Sequence, residues 1–459
     1  MSTEFEGKSY LVLGAGITGR SISQFIFTQG GKVALCDDVA EGAVRPESVD
    51  LADFDAVVIS PGWRQDHPLV QKILQSQIQL LNEIDLAWLI RCERSPNQKW
   101  IAVTGTNGKT TTVEMVAKIL QQAGVRAVAC GNVGDTVIDA VSHAPAYDVL
   151  VIELSSFQLH WSSKAEFVAA AILNIADDHI DWHGSFDAYA DAKLSILDRA
   201  EIAILNGDDG VVVQRSQRFK GRKVFFSLDT PAPGELGVVE EILIDRAFVS
   251  DPQEASIVCE LVDIVPTVPH NVSNALAASA LARVVNVTHA DIQLGLHNFR
   301  PGRHRIEVVK QAGEISWIND SKATNPHAAA ASIMSHLSVI WIAGGLAKGT
   351  DMGPLIERCK SRIKAVVLMG SDSSVIEKEL IKFTPSTPRI TIEAPMDYVR
   401  GGSSNSLMEA VVAAAANFAT SGDAVLMAPA CASMDQFISY GDRGDRFAAA
   451  VAKLVAHEA

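Results

Sequence analysis

Residues 100–111 read WIAVTGTNGKTT. An apolar run gives way to Gly105-Thr106-Asn107-Gly108-Lys109-Thr110, and residues 111–120 have the pattern of a helix. A strand that turns through glycines into a helix at Lys-Thr is a way for a chain to grip a polyphosphate. The glycines let backbone N–H groups approach the anion, the lysine offsets its charge, and the threonine hydroxyl reaches Mg²⁺. The helix N-terminus adds its own positive end. The common spacing is G-x-x-x-x-G-K-[ST]; here the first glycine comes late, giving G-x-x-G-K-T. The stretch predicts an ATP loop at the opening of a parallel-sheet domain.

Outward from this loop, strand-like runs alternate with helical stretches through almost all of the 459 residues. That alternation predicts an α/β fold with largely parallel sheets, and the length suggests about three domains on a ~150-residue prior. A first block, 1–95, ends in the polar stretch Glu93-Arg94-Ser95-Pro96-Asn97-Gln98, read as a linker. The second, 96–300, is the central phosphate-loop domain, with strands near 149–153, 169–174 and 203–206, a region of antiparallel strands within 230–268, and a small-residue helix over 271–285. The third, 301–459, alternates again, with strands at 315–319, 339–344, 365–369, 390–392 and 424–427.

The net charge of −15 argues against nonspecific nucleic-acid binding, which needs a basic surplus to displace counterions. It does not exclude anionic substrates, because local lysines and Mg²⁺ outweigh a distant charge. The opening MSTEFEGKSY lacks the basic-then-apolar pattern of a secretion signal. No run approaches the ~20 apolar residues of a membrane span. The six cysteines are scattered without C-x-x-C spacing and read as reduced thiols of a cytoplasmic protein without membrane insertion.

Four further segments carry chemistry. Gly14-Ala15-Gly16-Ile17-Thr18-Gly19 follows the strand 10–13, and Asp37 and Asp38 end the next strand. This is the context of a nucleotide-binding turn, with the acid near a ribose. A nicotinamide-dependent oxidoreductase is the rival class, but it leaves the second phosphate loop unexplained; a ligand-free tight turn is the other alternative. Glu153, at the end of an apolar strand in Glu153-Leu154-Ser155-Ser156-Phe157-Gln158-Leu159, is placed to hold Mg²⁺. Asn174-Ile175-Ala176-Asp177-Asp178-His179-Ile180-Asp181-Trp182-His183-Gly184 is dense in polar ligands and suggests a second metal or an anion site, without saying which histidine binds. In the third block, the segments containing Asp320, Lys322 and Thr324, Lys348, and Ser433 each lie just past a strand, where open α/β sheets bind ligands.

With these residues assembled, TGTNGKTT, ELSSFQL, DHIDWHG, WINDSKATN and PACASMDQF resemble the signatures of the Mur ligase family, in the expected order and spanning almost the whole chain. ELSSFQL and PACASMDQF favour the branch that adds D-glutamate; another Mur-type amide ligase with a different amino acid is the alternative. The resemblance implies a cytoplasmic enzyme of peptidoglycan synthesis, a monomer with three domains: a Rossmann-like UDP-binding domain, a central ATP-binding domain and a Rossmann-like amino-acid-binding domain. It would join D-glutamate to UDP-N-acetylmuramoyl-L-alanine, with ATP activating the alanyl carboxylate as an acyl phosphate.

By the same resemblance, residues 105–111, from Gly105 through Thr106, Asn107, Gly108, Lys109 and Thr110 to Thr111, would hold the ATP phosphates. Asn271 and Asn274 would meet the adenine, and Arg305 and Asp320, with His304 beside them, would serve phosphates and ribose. Lys109, Glu153, His179 and Lys193 would be the catalytic set. Thr110, Glu153, His179 and a carbamylated Lys193 would hold two Mg²⁺ ions: an ammonium repels the cation, and a carbamate attracts it. Gly14, Gly16, Ile17, Thr18, Gly19 and Asp37 would hold the UDP part of the substrate, Ser155 and Gln158 would also bind that substrate, and Asn132 would support its carboxylate and the γ-phosphate region. Thr324, Lys348, Ser433 and Tyr440 would hold D-glutamate. The chain departs from the family pattern at Tyr440 (phenylalanine expected), Asp38 (a small hydroxyl residue) and Gly134-Asp135-Thr136 (G-x-P).

Overall fold

The computed structural model describes residues 5–251, 253–403 and 405–458. Three separate sheets organise them, and the chain divides into two compact units, Met1–Phe299 and Arg300–Ala459. The fold is α/β, as the alternation predicts.

The first sheet has four parallel strands in the order Lys32–Cys36, Ser9–Leu13, Ala56–Ile59, Gln79–Asn82. Its inner strands are almost wholly apolar and buried, as a sheet covered on both faces requires. The turn out of Ser9–Leu13 needs its glycines. Gly14 has φ +101°, and a Cβ on Gly19 would sit 1.7 Å from the Gly14 carbonyl oxygen. Only glycine lets the helix Ile17–Thr28 start that close to the strand.

The second sheet has nine strands. Seven run parallel, in the order Ala127–Gly131, Val149–Glu153, Lys99–Thr104, Ala169–Ile172, Ile202–Asn206, Arg222–Phe226, Glu235–Val239. Ile242–Asp245 and Ser256–Glu260 then close that edge antiparallel, inside the region where antiparallel strands are expected. Lys99–Thr104 is central, and the chain leaves it for one side of the sheet and returns to the other. The crevice at such a reversal is the ligand position of open α/β sheets, and the 105–110 loop occupies it. The following helix, Lys109–Gln122, buries Val113, Val116, Ile119 and Leu120. Against it lie two helices built for close approach. Pro269–Val284 is buried largely through alanines, and a Cβ on Gly295 would come within 2.7 Å of the Ile119 Cα.

The first two sheets share one core. Ile84, Leu86, Ala87 and Ile90 of the helix Glu83–Arg94 cluster with Trp100 and Phe167 of the second sheet, and Trp88 meets Trp100 edge-on with centroids 5.1 Å apart. The polar stretch 93–98, expected as a linker, is therefore anchored. Gln98 is buried, accepts from the Trp100 indole and donates to the Tyr147 carbonyl. Two acids at the start of the same helix add polar joints. Glu83 accepts from the Val137 and Ile138 backbone N–H groups. Asp85 accepts from Ser162, Ser163, Lys164 and Ala165.

The unit Arg300–Ala459 holds a six-stranded sheet in the order Glu307–Ala312, Ile315–Asn319, Ala424–Met427, Val339–Gly344, Ile363–Met369, Arg389–Thr391, with only the first strand antiparallel. The last strand of the chain inserts between two earlier ones, so this sheet also has a reversal at its centre.

Candidate active site

At the centre of the second sheet, the 105–110 loop is held from several sides. Gly108 takes φ +84° as the residue capping Lys109–Gln122, and a Cβ there would lie 2.5 Å from Asn274 Oδ1. Asn274 thus meets the loop from a buried helix, on which Asn271 donates to the Pro266 carbonyl at 2.9 Å. The Asn107 N–H donates to Asn174 Oδ1 at 2.8 Å, and the Asn174 amide returns a bond to the Asn107 carbonyl at 3.1 Å. Thr106 Oγ1 lies 2.8 Å from the Tyr189 hydroxyl and accepts from the Ala176 N–H. The Lys109 ammonium folds over the loop onto the Gly105 and Thr106 carbonyls, at 2.8 and 3.0 Å. Thr110 and Thr111 follow in the first helical turn.

Lys193 reaches the same loop from the helix Phe186–Leu194. Tyr189 and Lys193, four residues apart, share that helix's buried face, as side chains at this spacing do. The Lys193 amine donates to the Gly105 carbonyl at 2.9 Å in a fully buried position. Burial first, and the nearby Lys109 charge second, hold its pKa well below the ordinary lysine value. Burial of this kind disfavours the charged form of an amine.

Glu153 ends its strand beside the loop and is 2% exposed. Its Oε1 accepts from the Asn132 side-chain amide at 2.9 Å, while Oε2 is buried with no hydrogen-bond partner. An unpaired buried carboxylate oxygen is costly, and a divalent cation satisfies it. No cluster of three or more His, Cys, Asp or Glu side chains stands ready for a metal among the described residues. The oxygen donors available here, a threonine hydroxyl and one carboxylate, nonetheless fit a hard cation that keeps waters and phosphate oxygens as its other ligands.

His179 lies in the left-handed region, φ 53°, and opens the four-residue helix Ile180–His183. It is 3.6 Å from Asp178 and edge-on to Phe157. His183 instead bonds Ser156 Oγ at 2.9 Å, and burial pushes its pKa down to about 4. Ser155 and Gln158 form a reciprocal capping box at the start of the helix Ser156–Trp161, so their polar groups build that helix end.

In the first sheet, the glycine loop borders an open cleft of about 740 Å³, lined by Gly14, Gly16, Ile17 and Thr18 on one side and by residues 60–68 on the other. Asp37 accepts backbone N–H groups from Ala15, Val39 and Ala40, which hold its carboxyl below the usual range. Asp38 pairs with His67 at 3.3 Å.

In the unit Arg300–Ala459, Thr324, Lys348 and Ser433 follow the adjacent strands Ile315–Asn319, Val339–Gly344 and Ala424–Met427. Backbone bonds tie the three loops: Leu346 and Ala432 exchange N–H groups, and the Ala430 N–H donates to the Ala323 carbonyl. Lys348 has φ 51°. The Tyr440 ring carries Lys322 Nζ 4.0 Å above its centroid, a cation–π contact. Asp320 is buried, which raises its pKa to about 6. Arg305 is partly buried, and His304 Nδ1 accepts from the Asn319 side-chain amide at 2.9 Å. Sequence reading missed Arg443. It is fully buried and donates to Ser321 Oγ, the Ser321 carbonyl and the Cys431 carbonyl, so one guanidinium ties two of these loops together. It lies in the helix Tyr440–Glu458, and no local motif marks it in the sequence.

The fold and this site define a nucleotide-binding α/β ligase, and the comparisons with known proteins agree. Residues 103–282 match the Mur ligase middle domain, and residues 304–431 match the Mur ligase glutamate ligase domain. The chain belongs to the Mur ligase family. It is 42% identical to the UDP-N-acetylmuramoylalanine--D-glutamate ligase of Thermobifida fusca, covering 98% of this chain and 99% of that one. It is likewise 42% identical to the protein of the same name from Nocardia farcinica, covering 98% and 97%. Among solved structures, MurF ligase from Thermotoga maritima in complex with ADP is similar in fold at a TM-score of 0.60, with 16% identity and coverage of 100% and 97%. A pseudomurein peptide ligase type C from Methanothermus fervidus gives 0.59, with 19% identity and coverage of 98% and 100%.

Proposed function

We propose that this protein is an ATP-dependent ligase that adds D-glutamate to UDP-N-acetylmuramoyl-L-alanine in the cytoplasmic stage of peptidoglycan synthesis. The observation that carries this reading is the meeting of the 105–110 loop with a buried, half-satisfied Glu153 and a buried Lys193. That arrangement suits the transfer of a phosphoryl group between two anions. Four near-full-length relatives at about 40% identity carry this name.

A carboxylate and the γ-phosphate repel each other, and a pair of unit charges at ~4 Å is worth about 4 kcal/mol at an effective dielectric of ~20. The site must offset that term. Phosphoryl transfer leaves the protein little covalent work beyond positioning and charge stabilisation. Lys109 neutralises the β- and γ-phosphates, and the backbone N–H groups of the glycine loop orient them. Thr110, Glu153 and His179 would hold Mg²⁺, which supplies Lewis-acid stabilisation of the transferring group. Lys193, whose burial disfavours the ammonium form, would add through its neutral amine to CO₂ and release a proton to solvent. The resulting carbamate exchanges a repelling cation for a ligand. Asn132 holds Glu153 in place and keeps the substrate carboxylate close to it.

The carboxylate oxygen attacks γ-phosphorus and ADP leaves with the bridging oxygen. The unprotonated amine of D-glutamate then adds to the acyl carbon, the tetrahedral adduct loses a proton, and inorganic phosphate departs. Thr324, Lys348, Ser433 and the Tyr440 ring are the groups assigned to the amino acid. An ADP-release assay with UDP-N-acetylmuramoyl-L-alanine tests the reading by comparing D-glutamate, L-glutamate and meso-diaminopimelate. Release dependent on D-glutamate supports it; release with meso-diaminopimelate alone contradicts it.

A further inference from the structure

The loop 60–68 has a second attachment that its role in lining the cleft does not require. The Arg64 guanidinium is bidentate to Asp66, at 3.0 and 3.1 Å, and its remaining terminal nitrogen donates to the Asp181 carbonyl at 2.8 Å. The Trp182 indole N–H returns toward the Gly62 carbonyl at 3.4 Å. Asp181 and Trp182 belong to the short helix that His179 opens.

That helix has little to stabilise it from within. It spans only Ile180–His183 and is bounded by left-handed residues at both ends, His179 at φ 53° and Gly184 at φ 81°. A helix this short is unfavourable by itself, and its last carbonyls need outside donors. Arg64 supplies one from a loop of the other sheet, and Asp66 keeps the planar guanidinium aimed. Trp63, next in sequence, is buried against the glycine turn: a Cβ on Gly14 would lie 3.2 Å from its indole nitrogen. A molecule seated in the cleft therefore presses on the same loop that props the His179 helix.

We infer that Arg64 is a positioning residue that couples occupancy of the cleft beside the glycine turn to the order of the His179 helix. Binding there restrains residues 60–68, and Arg64 passes the restraint to the Asp181 carbonyl. The inference rests on the proposed reading of the cleft as the UDP end of the substrate site. It adds a reason for the phosphoryl-transfer site to be complete only when the sugar nucleotide is in place. Coupling of this kind is a free energy between two sites carried by contacts that both bias.

The test uses the full chain, with UDP as the probe, and follows amide hydrogen exchange over residues 177–184. In the unaltered protein, saturating UDP slows that exchange. In Arg64→Gln, UDP binds with a Kd within about threefold, yet exchange over 177–184 no longer responds. The Mg²⁺ concentration for half-maximal turnover rises about tenfold while the KM for the UDP-sugar stays near its original value. These sizes correspond to losing one charge-assisted hydrogen bond of ~1.5 kcal/mol. Arg64→Lys, which can still donate to Asp181, restores part of the response. A merely structural role would lower all activities together without removing the UDP response. Unchanged protection in Arg64→Gln overturns the inference, and so does loss of UDP binding, because Arg64 would then be a ligand contact. Failure of the unaltered protein to bind UDP would instead sink the reading of the cleft itself.

Discussion

Two strands of the first unit end in glycine turns that start a helix, at 14–19 and at 105–110, and their surroundings differ. The first turn opens on a broad cleft, has Ile17 83% exposed at its tip, and is backed by an acid, Asp37, already satisfied by backbone N–H groups. The second is enclosed by ionisable groups: half-buried Lys109 folds over it, and buried Lys193 and Glu153 flank it, Glu153 with one oxygen unpaired. A binding site for a nucleotide handle needs shape and a few N–H donors. A site that moves a phosphoryl group needs charges whose desolvation is offset only when the reacting groups arrive. On the proposed reading, the same local backbone device serves two purposes, and the side chains behind it decide which.

Substitutions that break this contrast should have graded effects. Lys109→Ala removes the only side-chain cation of the 105–110 loop. ADP formation should fall by about 10³-fold, the scale of deleting a key charge-stabilising donor, while UDP-sugar binding at the other turn, measured by titration calorimetry, stays nearly intact. Retained turnover would contradict the role assigned. Lys193→Ala should be inactive in steady-state assays and partly recover when short carboxylates such as formate or acetate are added, since these can replace the carbamate oxygens. Absence of any recovery would count against the carbamate.

A pH effect separates structural from catalytic acids. Burial raises the Glu83 pKa from 4.5 to about 7. The folded state therefore binds more protons than the unfolded chain between these values, and stability falls as pH rises through that window. A shift from 4.5 to 7 corresponds to ~3 kcal/mol at most. Glu83→Gln, which keeps an acceptor for Val137 and Ile138, should flatten denaturant midpoints between pH 4.5 and 7 and leave the protein more stable above pH 7. An unchanged pH profile would remove Glu83 as a titrating joint between the two sheets. The smallest effect is predicted for Tyr189→Phe. Losing the hydroxyl contact to Thr106 should cost about 1 kcal/mol of stability, seen as a modest fall in the unfolding midpoint, with the ATP KM raised severalfold at most.

Several strands with uninterrupted apolar runs were legible in the sequence, though Ala56–Ile59 was not picked out. Val149–Glu153, Ile315–Asn319, Val339–Gly344 and Ala424–Met427 have the bounds read from it, because a strand buried on both faces leaves little ambiguity. Gln79–Asn82 and Ala127–Gly131 were not picked out. They lie at sheet edges, where partial exposure weakens the pattern. The phosphate loop, Glu153 and Lys193 could be named because each falls in a compact motif. What could not be read is what pairs across the sequence. Gln98 looked like linker, yet it is buried by Trp100 and Tyr147; Asp85 sits 77 residues from Ser162 and Arg64 sits 117 from Asp181. Such joints leave no periodicity and no local spacing, only a polar residue whose partner appears on folding.

The central claim is that the 105–110 loop activates a carboxylate by phosphorylating it. Turnover of UDP-N-acetylmuramoyl-L-alanine carrying ¹⁸O in the alanyl carboxylate tests it directly, with the released phosphate read by mass spectrometry. The account predicts one ¹⁸O atom in each inorganic phosphate, delivered when the acyl phosphate collapses to amide. Phosphate free of label, with amide still formed, would contradict it.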